Sequence, residues 1–287
     1  MISQPAALAI LSAVCFGAAL IVIHFGLRYA TSYTGAKISL STSFVLWWAL
    51  APALLDVSGW HAGAATLFAI VGLFYPGAVT VLTNESNRLL GPTLTGTVSS
   101  TAPLFATAFA VFVLGEQLTF TVVAGGLTIV IALILMSWRG PASVPLGWRL
   151  LLPLTGALLR GLAQALSKVG LLLWPSAYAA TLISYTVSGA AIWGGAAVLA
   201  GRNPAQPMQR AAIPWFMAAG LLNGCAVLLL YHALETGRVA VVAPLVAMYP
   251  LFTLLFSAIV LRIEVLTKRI VAGAIIAVTG VVLLVSA

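Results

Sequence analysis

The chain has 287 residues, 62% of them hydrophobic and only 6% charged, with a mean hydropathy of +1.14. That balance is far from the roughly 25% charged residues of ordinary soluble domains, and it excludes a water-soluble protein. The net charge of +8 comes from basic residues scattered one or two per connector, so it makes no patch for nucleic acid and points instead to loop orientation at a membrane.

A bilayer crossing needs about 20 mostly apolar residues whose backbone groups are satisfied in helices or a closed barrel. Long apolar runs without two-residue alternation predict helices. Broken at polar, glycine and proline punctuation, the chain gives ten predicted spans: 5–27, 36–55, 64–84, 91–114, 120–138, 148–172, 177–200, 212–233, 238–261 and 268–286. No Lys or Arg precedes Arg28, so the basic start of a cleavable signal is missing and the first span is expected to be retained. Cys15 and Cys225 lie in apolar runs without a His or Cys nearby in sequence and read as packed thiols rather than a disulfide or metal site.

The second half repeats the first. Pro250, Leu251, Phe252, Phe256 and Leu261 fall over Pro103, Leu104, Phe105, Phe109 and Leu114; one residue later Glu264, Leu266, Thr267, Ala272 and Gly273 fall over Glu116, Leu118, Thr119, Ala124 and Gly125. The repeats are assigned to residues 1–140 and 146–287, joined by a polar connector, with a second long connector at 201–211. Five spans per half is an odd number, so the second half enters the membrane from the opposite side. The expected fold is an all-α membrane protein of ten transmembrane helices in two inverted five-helix repeats.

Cations test that topology. Arg28, Lys37, Arg88, Arg139, Arg149, Arg202, Arg210, Arg262, Lys268 and Arg269 lie on the side reached after odd-numbered spans, and only Arg238 lies on the other. Short loops rich in Lys and Arg stay in the cytoplasm, which places both termini outside a bacterial inner membrane. Trp47, Trp48, Trp60, Trp138, Trp148, Trp174 and Trp215 fall mostly near span ends and read as headgroup anchors, with Trp174 open to another role and Trp193 unassigned.

Phe16 and Gly17 in the first span, the proline spans, the Gly115-Glu116 turn with its partner Ile263-Glu264, and the closing Ala124-Gly125-Gly126 and Ala272-Gly273 helices carry a resemblance. The pattern resembles the drug/metabolite transporter superfamily, in particular its ten-helix EamA-type members, over the whole chain. The resemblance implies a carrier of small metabolites with its cavity between the halves; the layout is similar to aromatic amino acid exporters. Two positions depart from the pattern. His24 stands where members often carry Lys, which is found instead at the repeat counterpart Lys168, and Ile263 stands where the turn usually has Gly.

Arg160, Gln164 and Lys168 are spaced to share one face of span six. Arg160 lies at a depth of ~15 Å, where an ionisable group is a functional candidate costing at least ~2.5 kcal/mol if it faced lipid; a structural pair or capped carbonyls is the alternative. Lys168 is shallower, and snorkelling competes with a cavity role. Tyr75 and Asn223 occupy equivalent places in spans three and eight, as substrate contacts or as interhelical hydrogen bonds. Pro103 and Pro250 remove backbone donors mid-span, so Ser99, Thr101 and Tyr249 are placed to line a break with the prolines as hinges, or the prolines are packing kinks.

No carboxylate lies within a predicted span: Asp56, Glu85, Glu116, Glu235 and Glu264 all fall in connectors or at span ends. A buried positive charge without a buried acid favours carboxylate-bearing substrates over lipophilic cations. Proton coupling through His24 or His232 stays open beside a packing role. The first reading is a secondary transporter exporting small carboxylate-bearing metabolites, amino acids including aromatic ones, by alternating access. A sugar-phosphate or nucleotide-sugar carrier of the same fold is the second. An intramembrane enzyme is disfavoured by the lack of G-x-S-x-G, a metal cluster or paired acids. With no P-loop, no ATP-driven step is expected. No cofactor or metal is expected, and the partners are a small-molecule substrate and the lipid bilayer. A monomer suffices, since one chain holds both repeats.

Overall fold

The computed structural model describes residues 3–137, 147–199, 209–261 and 268–286. The Trp138 and Ile263-Glu264 expectations and most of both long connectors lie outside them. Among the described residues every regular element is helical: α1 Gln4–Gly26, α2 Ser32–Leu54, α3 Ala62–Phe74, α4 Gly77–Ser99, α5 Ala102–Leu114, α6 Phe120–Ser137, α7 Leu151–Leu173, α8 Ala177–Leu199, α9 Ala212–Thr236, α10 Val239–Val246, α11 Tyr249–Phe256 and α12 Lys268–Val285. A 23-residue helix such as α1 is about 34 Å long at ~1.5 Å per residue, enough to cross the hydrocarbon core. Local signals set several starts. Thr31 Oγ1 accepts the Thr34 N–H at the head of α2, and His61 Nδ1 accepts the Ala64 N–H at the head of α3.

The molecule is an all-α membrane protein of two inverted repeats; among the described residues seven helices are long and apolar enough to cross a membrane, and Ala102–Leu114 and Phe120–Met136 are shorter apolar helices. The last helices of the halves show the inversion directly: Gly125 of α6 faces Gly280 and Leu284 of α12, while Gly273 faces Ala132 and Met136, so the two helices run antiparallel. The inversion also generates reciprocal contacts. Gly17 of α1 seats Phe252 and Thr253 of α11, and Gly161 of α7 seats Phe105 and Ala106 of α5. Ser39 and Ser43 Oγ of α2 donate to the Phe216 and Gly220 carbonyls of α9 at 2.9 and 2.8 Å; Ser184 and Ser188 Oγ of α8 donate to the Phe68 and Gly72 carbonyls of α3 at 3.2 and 2.6 Å. Trp48 Nε1 donates to Thr186 Oγ1 and Trp193 Nε1 to Ser41 Oγ, both at 3.0 Å. Lipid tails give helices no hydrophobic drive to associate, so small residues and hydroxyl-to-carbonyl bonds hold the halves together.

Several expectations are corrected. The third predicted span is interrupted at Tyr75-Pro76, where Tyr75 turns extended and Pro76 supplies no N–H, and α4 then runs on through the expected connector near residue 85. The polar stretch there contains good helix formers, and hydropathy alone cannot tell a polar helix from a loop. Glu85 therefore lies within a helix, half-buried. Spans four and nine break instead of kinking: α4 gives way to α5 with Pro103 in its first turn, and α10 to α11 with Pro250 in its first turn. Trp47 is not an interface anchor. It is 3% exposed, lies edge-on to Tyr178, and its carbonyl accepts the Tyr178 hydroxyl. Trp174 is equally buried, against Phe68 and Trp60. Cys225 is exposed on α9 rather than packed.

Candidate functional site

A cavity of about 490 Å³ lies between the repeats, within the ~300–1,000 Å³ typical of small-molecule sites. Its wall uses the second half of α1 (Phe16, Leu20, His24), the first half of α2 (Ser32, Ser39, Ser43), the α3–α4 break (Tyr75, Pro76), the α4–α5 break (Ser99, Ser100, Pro103), the middle of α7 (Arg160, Gln164), and Tyr185, Phe216, Asn223, Val246 and Tyr249. These positions reach from the end of the molecule marked by the α1–α2 turn to its middle. Exposed His24 stands near that end. Phe16 and Tyr249 meet edge to face, 6.3 Å between centroids, across the seam of the halves.

The helix breaks bring polar residues to the cavity wall. Two of them, at Tyr75-Pro76 and at Ser99 to Pro103, border the cavity, and irregular backbone is tolerated in a bilayer only where it faces protein or an aqueous space. The walls also differ between the repeats. Where α7 presents Arg160 and Gln164, α1 presents Phe16 and Leu20 at the corresponding turns, so a symmetric scaffold holds an asymmetric site.

Of the sequence-selected residues, Tyr75, Ser99, Arg160, Gln164, Asn223, Tyr249 and Pro103 line this cavity. Thr101, Lys168 and Pro250 do not. Thr101 Oγ1 donates to the Val98 carbonyl within its own turn, at 2.7 Å. Lys168 Nζ donates to the Leu234 and Glu235 carbonyls at 2.7 and 3.3 Å, so the cation neutralises the C-terminal end of α9 instead of lining the cavity. Arg160 is thus the one Lys or Arg among the described lining residues. Sequence reasoning missed Tyr185, Ser39 and Ser43. The serines carried a signal in the S-x-x-x-S spacing shared by Ser39/Ser43 and Ser184/Ser188; a single tyrosine in an apolar span carries none.

The far end of the molecule is shut. Gly115 adopts φ +65° and ends α5 in a left-handed turn, a conformation open to glycine, and this aims Glu116 across the seam. Glu116 Oε1 and Oε2 accept the Val239 and Ala240 N–H groups at 2.8 and 3.1 Å, capping α10 with a carboxylate at its positive end. Arg238 donates to the Gln117 carbonyl beside it.

Two inverted helical repeats around a central cavity form the architecture of a membrane transporter. The EamA-like transporter family model matches residues 4–138 and again residues 147–286, and the chain belongs to that family. It is a multi-pass membrane transporter of small molecules. A solved structure described only as "Crystal structure of protein" is similar over 99% of this chain and 96% of its own, with a TM-score of 0.79 at 13% identity, a likeness of fold alone. No curated protein matches the chain.

Proposed function

We propose that this protein exports small carboxylate-bearing metabolites, amino acids including aromatic ones, from the bacterial cytoplasm across the inner membrane. One observation carries the reading: a single guanidinium, Arg160, in a cavity otherwise lined by aromatic, aliphatic and hydroxyl groups. Guanidinium binds a carboxylate through paired, charge-assisted hydrogen bonds, which strengthen away from water. Phe16, Tyr75, Phe216 and Tyr249 offer rings to an apolar side chain, and Asn223 and Ser99 add hydrogen-bonding groups. A sugar phosphate carries about two negative charges and calls for a second cation; with Lys168 bonded to α9, that reading loses its support.

The transport cycle follows from the closures. The cation bias of the connectors supports both termini outside and the cavity mouth toward the cytoplasm, with the Glu116 contacts across the seam closing the outer side. Rocking of the two halves, residues 1–140 against 146–287, about the Pro103 and Pro250 breaks exchanges the open and closed ends. One chain supplies both halves, so a monomer suffices. Movement runs down the substrate gradient in this reading; among the described lining residues His24, and no carboxylate, is a group that could carry a proton.

The test is uptake into proteoliposomes of labelled phenylalanine, tryptophan and a hexose phosphate, with and without a pH gradient, by the wild type and Arg160→Ala. Amino acid uptake that needs Arg160 and ignores the pH gradient supports the reading; hexose phosphate uptake alone refutes it.

A further inference from the structure

The outer seam between α2 and α8 follows the inverted symmetry closely and departs from it at two neighbouring places. Tyr33, Ser41 and Trp48 of α2 match Tyr178, Thr186 and Trp193 of α8 in spacing. Their bonds are reciprocal. Tyr33 donates to the Ile192 carbonyl at 3.2 Å and Tyr178 to the Trp47 carbonyl, while Trp193 and Trp48 Nε1 donate to Ser41 and Thr186, both at 3.0 Å. Within this shared frame Lys37 stands where the other copy has Leu182, and Gly189 where the other has Phe44. Both departures lie beside Trp193: Lys37 Nζ is 5.1 Å from its ring centroid and 4.9 Å from that of Tyr33, and Gly189 precedes it by one helical turn. We infer that this end of the α2–α8 pair is a seat for one anionic phospholipid, with the phosphate on the Lys37 ammonium and an acyl chain entering the open slot at Gly189.

The lysine calls for an anion. It is half-buried, does not line the cavity, and among the described residues its ammonium meets neither a carboxylate nor a hydrogen-bonding oxygen. Two π faces attract the charge and fix its position, but they supply no oxygen to its three N–H donors. Lys37 lies in the second turn of α2, about 8 Å from its start at ~1.5 Å per residue, so its extended side chain reaches the headgroup level. Trp193, 55% exposed, marks the same boundary. Basic sites between transmembrane helices take lipid phosphates, and a zwitterionic head already carries its own ammonium beside the phosphate, so an unpaired lysine selects a lipid of net negative charge. Shape adds the chain. A Cβ on Gly189, one turn deeper than Trp193, would meet nothing within 4 Å, whereas the corresponding Phe44 fills its place beside Trp48, 6.3 Å between ring centroids. A cation above an open slot suits a head with a chain attached; a soluble phosphate would use the lysine alone.

The test is native mass spectrometry of the full chain in detergent, titrated with phosphatidylglycerol, phosphatidylcholine or inorganic phosphate. The wild type is expected to hold one phosphatidylglycerol at least tenfold more tightly than phosphatidylcholine, and inorganic phosphate should not displace it. Lys37→Leu, which copies the other half, should weaken phosphatidylglycerol about tenfold and leave phosphatidylcholine within twofold. Gly189→Phe, the other copy's residue at the slot, should weaken it several-fold with the charge unchanged. Lys37→Gln exchanges one flexible polar side chain for another at the lipid face, so it keeps the test valid if either of these fails to fold. Arg28→Gln, which removes a different cation at the same end of the molecule, should stay within twofold. Equal wild-type affinity for the two lipids overturns the seat. So does a loss in Arg28→Gln as large as in Lys37→Leu, which would mean general charge attraction, and so does displacement of the lipid by inorganic phosphate, which would mean a site for free anions.

Discussion

Replacing Glu116 with Ala should unlatch the outer face. The carboxylate accepts two backbone N–H groups, at 2.8 and 3.1 Å, from Val239 and Ala240, which are 0% and 1% exposed. Losing an N-cap costs about 0.5–2 kcal/mol, and orphaning buried donors raises this toward ~3 kcal/mol. Water entering the opened face recovers part of that, leaving about 2 kcal/mol, or roughly a 30-fold shift toward the outward-open state at ~1.4 kcal/mol per tenfold. The Arg238 bond to the Gln117 carbonyl still crosses the seam and limits the opening. The reporter is a thiol introduced as Ser167→Cys, at a fully buried position beside the latch, in a Cys15→Ala, Cys225→Ala background. With a membrane-impermeant maleimide outside right-side-out vesicles, Glu116→Ala should accelerate labelling about 30-fold, and Glu116→Gln, which keeps one acceptor oxygen, several-fold. A rate within threefold of the parent, in a variant that melts normally, refutes the latch.

Arg160→Lys keeps the charge but loses the planar fork, so amino acid transport should fall about tenfold, and Arg160→Ala should abolish it, as read by initial uptake rates. Gly161→Ala would place a Cβ 2.6 Å from the Ala106 backbone N, and Gly220→Ala one against the Ser39 carbonyl oxygen. Each should destabilise the detergent-solubilised protein by about 1–3 kcal/mol in thermal unfolding, whereas Gly189→Ala, with nothing within 4 Å, should not. A thiol introduced as His24→Cys in the cysteine-free background should react with an impermeant reagent supplied from the cytoplasmic side and not from outside; the reverse would invert the topology.

How much was legible in the sequence depends on whether the physics is local or long-range. Hydropathy, the proline-centred repeat and the odd span count are properties of short stretches read one after another, and they suffice for helices, duplication and inversion. The depth of Arg160 also follows from counting residues. Hydropathy failed at Tyr75-Pro76 and at Glu85, because the course of a backbone through a polar or proline-containing stretch is set by what packs around it.

The roles of Lys168, Trp47 and Tyr185 could not be read from their neighbours in the chain. Lys168 shares a helical face with Arg160 and Gln164, but whether its ammonium meets a substrate or the carbonyls of α9 depends on where α9 ends. Tyr185 lines the cavity because α8 sits against α3, a contact made by serines reaching carbonyls more than a hundred residues away. By itself the sequence determined a duplicated, inverted helical membrane protein with a deep cation, since burial of apolar length in a bilayer depends on composition and order alone. Which polar atoms converge on one cavity, and which end of it is shut, the tertiary structure decided, since hydrogen bonds across the seam require partners that only packing brings within 3 Å.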